Sequence, residues 1–173
     1  LALEKVIETN FIPINPDMTL KEMLFTAVEN STRNIYPVLD DTQHFLGVVT
    51  LDDIRTIMFD QTQYDLKVSQ IMHGAPEIIQ SSDTMEQVMD KFQSSSAWNL
   101  PVCENGIYLG FVSKSKVLSV YRRKLIDFAG VNFRKEIHKW SKGDGEGKLQ
   151  LFTICIKIEL DRFPFLIKIR IEE

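Results

Sequence analysis

A chain of 173 residues, 44% apolar and 25% charged, is long enough for one domain or two small ones and has the balance of an ordinary globular protein. That composition excludes a disordered tail and a collagen-like fibre, and a complement of only two cysteines, Cys103 and Cys155, excludes a disulfide scaffold. A net charge of −4, from 20 basic and 24 acidic residues, argues against a surface that grips nucleic acid by its phosphates. No apolar run approaches the roughly 20 residues needed to cross a bilayer. Leu1-Ala2-Leu3-Glu4-Lys5 lacks the basic start and apolar core of a signal peptide, and the absence of an initiating Met suggests a piece of a larger protein.

Charge is unevenly spread. Residues 131–173 hold 9 Lys/Arg and 7 Asp/Glu, which leaves a net of −6 for residues 1–130. Lys142-Gly143-Asp144-Gly145-Glu146-Gly147 reads as a flexible linker, and a division near residue 130 follows.

Within the first part an internal repeat of about 64 residues dominates. Leu3-Glu4-Lys5-Val6-Ile7 matches Val68-Ser69-Gln70-Ile71-Met72, and Ile14-Asn15-Pro16-Asp17-Met18-Thr19-Leu20 matches Ile79-Gln80-Ser81-Ser82-Asp83-Thr84-Met85, both at an offset of 65. Asn34-Ile35-Tyr36-Pro37-Val38 matches Trp98-Asn99-Leu100-Pro101-Val102 at 64, and Leu46-Gly47-Val48-Val49-Thr50 matches Leu109-Gly110-Phe111-Val112-Ser113 at 63. Two single-residue deletions in loops account for the drift. The units are residues 1–66 and 67–130, with 131–173 as an extension of unknown role.

Each unit predicts the same elements in the same order. In the first, a short strand from Phe11 to Ile14 precedes Thr19, a helix cap, and a helix from Leu20 to Glu29 with Leu20, Met23, Leu24 and Ala27 on one face. Strands Ile35 to Leu39 and Phe45 to Thr50 follow, then a helix from Leu51 to Met58. In the second, the strand is Glu77 to Gln80, and the helix from Met85 to Phe92 puts Met85, Val88, Met89 and Phe92 on one face. Strands Asn99 to Cys103 and Tyr108 to Ser113 flank Asn105-Gly106, a strong hairpin cue, and a helix from Lys114 to Lys124 closes the unit. The fold class is α+β: two β-α-β-β-α units, each too small to bury a good core alone, packed as a pseudo-symmetric pair. In the extension, Leu149 to Leu160 and Phe165 to Ile171 alternate like the arms of a β-hairpin around Asp161-Arg162-Phe163-Pro164.

Tyr36-Pro37-Val38 with Gly47-Val48-Val49-Thr50-Leu51-Asp52-Asp53, and Leu100-Pro101-Val102 with Gly110-Phe111-Val112-Ser113, resemble the doubled signature of the cystathionine-β-synthase (CBS) domain family. More narrowly, Leu3-Glu4-Lys5-Val6-Ile7-Glu8-Thr9-Asn10-Phe11-Ile12-Pro13-Ile14, Leu51-Asp52-Asp53-Ile54-Arg55 and Phe111-Val112-Ser113-Lys114-Ser115-Lys116 resemble the cytosolic tail of bacterial CLC chloride channels and transporters. The resemblance implies a regulatory, non-enzymatic module that dimerises into a disc and binds adenine nucleotides, ATP, ADP or AMP, in clefts between repeats. It implies no required cofactor, and a location at the cytoplasmic face of the membrane beside a transmembrane chloride-transport domain. The alternatives are a CBS pair of another transporter or of an enzyme, a stand-alone energy sensor, and a dimerisation module that binds nothing.

Thr50-x-x-Asp53 stands where a strand becomes a helix and reads in two compatible ways. It is a capping box in form. The same geometry can offer N–H groups to a phosphate and a carboxylate to ribose hydroxyls. In the second copy Ser113 keeps the cap but Lys116 replaces the acid, so a nucleotide should prefer the cleft of Asp53. In similar pairs the other repeat completes that cleft, here with Ile78, Ile79, Ala97, Trp98, Asn99 and Pro101. Trp98 either stacks on a base or packs half-buried between the repeats. The opposite cleft would join Ser113 and Lys116 to Ile14, Arg33, Asn34 and Pro37. His44, His73 and His138, with two distant cysteines, make no metal-ligand spacing, and no P-loop or dinucleotide fingerprint is present. Helix positions Ile54, Ile57, Val117, Leu118 and Tyr121 are the expected apolar surface for a homodimer.

Overall fold

Two antiparallel hairpins of the same build carry the two repeats in the computed structural model, which describes residues 3–120 and 122–123. Strand β1 (Ile35–Leu39) pairs with β2 (Phe45–Thr50), setting Ile35 opposite Thr50 and Pro37 opposite Val48. Strand β4 (Asn99–Glu104) pairs with β5 (Ile107–Ser113), setting Asn99 opposite Ser113 and Pro101 opposite Phe111. Each hairpin slips its register just after the Val of its Pro-Val pair, at Val38/Leu39 and at Val102/Cys103. At the second turn Asn105 and Gly106 take φ of 50° and 85°, the paired positive values of the tight turn that Asn-Gly favours. At the first turn the Asp40 carboxylate accepts from the Thr42 and His44 N–H groups and orders the reversal.

The leading strand of each repeat is shorter than its sequence pattern predicts. In the second repeat β3 is Ile79–Gln80, parallel to β4, with Ile79 opposite Val102. In the first it shrinks to one parallel bridge, where Ile14 donates to Pro37 O and accepts from Leu39 N, each at 2.9 Å. Pro13 and Pro16 flank that bridge and have no N–H to extend the ladder.

The helices bury the faces expected of them. Helix α1 (Leu20–Met23) begins in a capping box between Thr19 and Glu22, and its chain continues through a wider π turn, Leu24–Val28. Within it the Thr26 hydroxyl takes the Glu22 carbonyl at 2.6 Å, the acceptor an α-helix would use itself. Helix α2 is one turn, Leu51–Ile54, rather than a run to Met58, because the chain tightens to Arg55 N–Asp52 O and Ile57 N–Ile54 O bonds. Helix α3 is Val68–Ile71, and α4 is Met85–Ser95, longer than predicted, with Met85, Val88, Met89 and Phe92 all buried. Residues 114–120 form α5.

The repeats exchange their leading segments. Glu8 pairs antiparallel with Phe111 of β5 through backbone bonds of 2.7 and 2.9 Å, and His73 pairs with Val48 of β2 through bonds of 2.9 and 3.0 Å. Glu8 and His73 lie 65 residues apart and are pseudo-symmetric equivalents. Helix α3 of the second repeat likewise docks on the first, where Val68 joins Leu20, Met23, Tyr36, Val38, Val49 and Ile54 in one core cluster. A second cluster seals the junction: Phe11, Val48 and Phe111, with the Phe11 and Phe111 rings 4.7 Å apart. The result is an α+β fold of two β-α-β-β-α repeats in one compact unit, Leu1–Arg123.

Two expected surface positions are core instead. Ile54 and Val117 have no exposed surface, and Ile54 belongs to the core cluster of Leu20, Met23, Tyr36 and Val49. Ile57 and Leu118 are half-buried, and Tyr121 lies outside the described residues. The large apolar side chains left in solvent include Phe25, 58% exposed, and Phe59, 82% exposed. The linker at 142–147 and the hairpin expected over 149–171 lie outside the described residues.

Candidate functional site

The junction between the repeats opens on one side as a cleft of about 630 Å³, within the usual range for small-molecule sites. The first repeat supplies Phe11, the stretch Thr32 to Ile35, Val48, Thr50 and Asp52; the second supplies His73, Pro76 and the stretch Ala97 to Asn99. Phe11, Ile35 and Val48 belong to or border the junction cluster, so the floor is apolar. The rim is polar.

Thr50 ends β2 and caps α2. Its hydroxyl accepts from Asp53 N at 3.3 Å, while Thr50 N and Thr50 Oγ1 both donate to Asp53 Oδ2 at 2.7 Å. The capping box is therefore fully formed. A third contact reaches the same oxygen from the other repeat: His73 Nε2 lies 3.0 Å from Asp53 Oδ2. Burial alone would raise the Asp53 carboxyl, but the Thr50 bonds and the His73 ring outweigh it and hold it below its usual range.

Trp98 is 72% exposed, so it does not pack half-buried between the repeats. Its ring stands at the cleft edge with Lys114 Nζ 5.8 Å from its centroid, and its carbonyl accepts from Lys114 N. Arg33 lies over the Phe11 ring at 4.8 Å and donates to Glu8 Oε1 at 3.1 Å and Asn10 Oδ1 at 2.7 Å.

Of the residues expected from sequence, Thr50, Ala97, Trp98 and Asn99 line this one cleft. Asp53 stands directly behind it, bonded to both Thr50 and His73. Ile79 is fully buried against β4, Pro101 is buried within β4, and Ile78 is half-buried with its carbonyl held by Lys91 Nζ at 2.8 Å. Arg33 and Asn34, expected in the opposite cleft, lie in the same one as Thr50 and Trp98, since Asn34 O accepts from Leu51 N at the start of α2. Ile14 and Pro37 of that expected second cleft are buried. Its remaining anchor, Ser113, accepts from Lys116 N and donates to Glu8 Oε2 at 3.0 Å, so Glu8 ties Ser113 to Arg33.

His73, Phe11 and Pro76 were not legible as site residues. The signal for His73 was available, because extending the 65-residue match by one pair sets it opposite Glu8. Among the described residues no cluster of His, Cys, Asp or Glu is placed to hold a metal ion, and no helix is long and apolar enough to cross a membrane.

A duplicated β-α-β-β-α unit whose halves exchange leading segments and border a cleft defines a paired-repeat module. Residues 3–60 and 68–123 match the CBS domain family, and the chain belongs to it. Solved structures of the same fold include the CBS domains of a transcriptional regulator from Streptococcus pneumoniae, 21% identical over 69% of this chain and 98% of that one, with a TM-score of 0.56. CBSX2 in complex with AMP is 21% identical over 70% of this chain and 96% of that one, with a TM-score of 0.58. The cytosolic domain of the Mg2+ channel MgtE in complex with ATP is 21% identical over 69% of this chain and 48% of that one, also with a TM-score of 0.58. No curated protein sequence matches the chain.

Proposed function

We propose that this CBS pair is a regulatory, non-catalytic sensor that binds an adenine nucleotide in the cleft between its repeats. One observation carries the reading: an exposed aromatic face and a guanidinium, Trp98 and Arg33, line one apolar-floored cleft, and the depressed carboxylate of Asp53 stands behind it, bonded to Thr50 and His73 of its lining. The base stacks on Trp98, the ribose hydroxyls donate to Asp53, and the phosphate turns toward Arg33. The one-turn length of α2 gives its dipole a minor part, because a full turn is only the minimum over which peptide dipoles add. Cofold neighbours crystallised with AMP and with ATP support this choice of ligand class.

The parent we infer is a CLC-type chloride channel or transporter, on the resemblance of Leu51-Asp52-Asp53-Ile54-Arg55 and the segment from Leu3 to Ile14. The module then sits at the cytoplasmic face, and two chains associate through exposed apolar side chains of the first repeat, among them Phe25 and Phe59. The likeness to a magnesium-channel domain favours a second transporter parent as the alternative. Ten or more apolar helices encoded upstream of Leu1 would support the first parent, and an enzymatic domain there would sink it.

Sedimentation at tens of micromolar protein with ATP, followed at the nucleotide and protein absorbance bands, tests assembly and binding together. The expected boundary has the mass of a dimer and carries nucleotide with it. A purely monomeric boundary would overturn the dimer, and nucleotide left behind in the solvent would overturn the sensor.

A further inference from the structure

The leading segment that crosses from the first repeat onto β5 carries a carboxylate that reaches back to the first repeat. The root of Glu8 is fixed, because its N and O exchange backbone bonds of 2.7 and 2.9 Å with Phe111. Its side chain joins two elements. Oε2 accepts from Ser113 Oγ at 3.0 Å, at the end of β5, and Oε1 accepts from Arg33 Nη2 at 3.1 Å. Arg33 lines the cleft, and among the described residues it is the one Lys or Arg that does.

The contacts of Arg33 fix its guanidinium rather than use it up. Nη2 meets two acceptors, Glu8 Oε1 and Asn10 Oδ1, the second at 2.7 Å. The group also lies over the Phe11 ring, 4.8 Å from its centroid. A guanidinium held by a single acceptor can swing about that one bond. Two acceptors on one nitrogen and a ring beneath set its plane. Nε and Nη1 keep their protons, with no acceptor among the described residues, and the side chain is 30% exposed. The arrangement occurs once in the pair, because the residue matching Arg33 in the second repeat is Ala97. Asp52, the carboxylate of the lining, pairs with Arg55 instead.

We propose that Glu8 is a positioning residue for Arg33, holding the guanidinium in place for the phosphate of the nucleotide while its free N–H groups make the contact. This role rests on the nucleotide reading above. It makes the phosphate contact of the first repeat depend on β5 of the second, through Ser113 and the exchanged segment. Ordering a long, rotamer-rich side chain only on binding costs about two- to tenfold in affinity, and a tether already made in the free protein spares that cost. The Glu8 charge acts the other way, since it repels a phosphate. Geometry and charge therefore have to be separated by comparing variants of equal charge.

Glu8→Gln and Glu8→Ala both remove the charge, but only Gln keeps an oxygen for Arg33 Nη2 and offers an amide proton to Ser113 Oγ. Neither touches the backbone bonds to Phe111, so both retain the exchanged segment. In calorimetric titration with AMP, Glu8→Gln should bind about two- to tenfold more tightly than Glu8→Ala. Adding Arg33→Ala to each should close that gap, because Glu8 then has nothing to position. Equal affinities for the two single variants, or tighter binding by Glu8→Ala, would overturn the tether while leaving the nucleotide site standing. A gap that persists without Arg33 would also overturn it, since Gln would then be acting on the leading segment alone. Silence with AMP in the wild type overturns the nucleotide reading, and the role of Glu8 with it.

Discussion

Replacing Asp53 by alanine is expected to weaken adenine-nucleotide binding ten- to a hundredfold, the worth of one charge-assisted hydrogen bond, about 1.5–3 kcal/mol. Asp53 also closes a capping box with Thr50, so the variant loses about 0.5–2 kcal/mol of stability whatever its role in binding. Stability alone therefore decides nothing. The comparison that separates the roles is Glu22→Ala, which breaks the equivalent box with Thr19 at the start of α1, away from the cleft. It should show a similar loss of stability with unchanged affinity. Lys116→Ala, at the pseudo-symmetric end of α5, should also leave the affinity of the Asp53 cleft almost untouched. Equal affinities for wild type and Asp53→Ala would reduce Asp53 to a capping residue.

Gly110→Ala is expected to destabilise the pair by about 2–4 kcal/mol, on the order of 10 °C in Tm, through overpacking and backbone strain together. A Cβ at Gly110 would stand 2.6 Å from Glu8 O and 2.7 Å from Ile7 Cγ2, and its φ of +151° strains any side-chain-bearing residue. The methyl would push the leading segment off β5 at the point where Glu8 and Phe111 exchange backbone bonds. Gly47→Ala makes the same collision on the other side, with its Cβ 2.5 Å from His73 O. It should also disturb the cleft, because it displaces the root of His73. Gly74→Ala is the control, since a Cβ there meets nothing within 4 Å, and its effect should stay within about 0.5 kcal/mol. Thermal unfolding of the three variants measures this directly. A stable Gly110→Ala would contradict the exchange of leading segments.

The two glycines show why part of this fold was legible in the sequence. Gly47 and Gly110 recur in matched strands because a backbone crosses each of them, and a repeat detector sees that recurrence without knowing its cause. The same holds for β1 and β2, whose ends match the alternation of Ile35 to Leu39 and Phe45 to Thr50, and for the Asn105-Gly106 turn. Periodicity reports a local backbone, and hairpins are local. The first leading strand fell short because prolines at 13 and 16 limit donors in a way that apolar spacing does not register. Ile54 and Val117 were misplaced because amphipathicity says that a face is buried, but not whether the same chain or a second one buries it.

The cleft was half legible for the same reason. Thr50 and Trp98 sit on elements that the repeat fixes, and both line it. His73 arrives there through the exchange of leading segments, a long-range contact that no local pattern encodes. Arg33 lines the cleft of Thr50 and Trp98 and is also tied through Glu8 to Ser113, because the segment before β1 folds back over Phe11 and Glu8.

Calorimetric titration of the wild-type chain with ATP, ADP and AMP tests the central claim most directly. The cleft geometry predicts saturable binding of at least one of them at one site per chain, since only one of the two pseudo-symmetric positions offers an aspartate while the other offers Lys116 beside an occupied Ser113–Glu8 bond. No heat from any of the three at millimolar concentration, or two equivalent sites per chain, would contradict it.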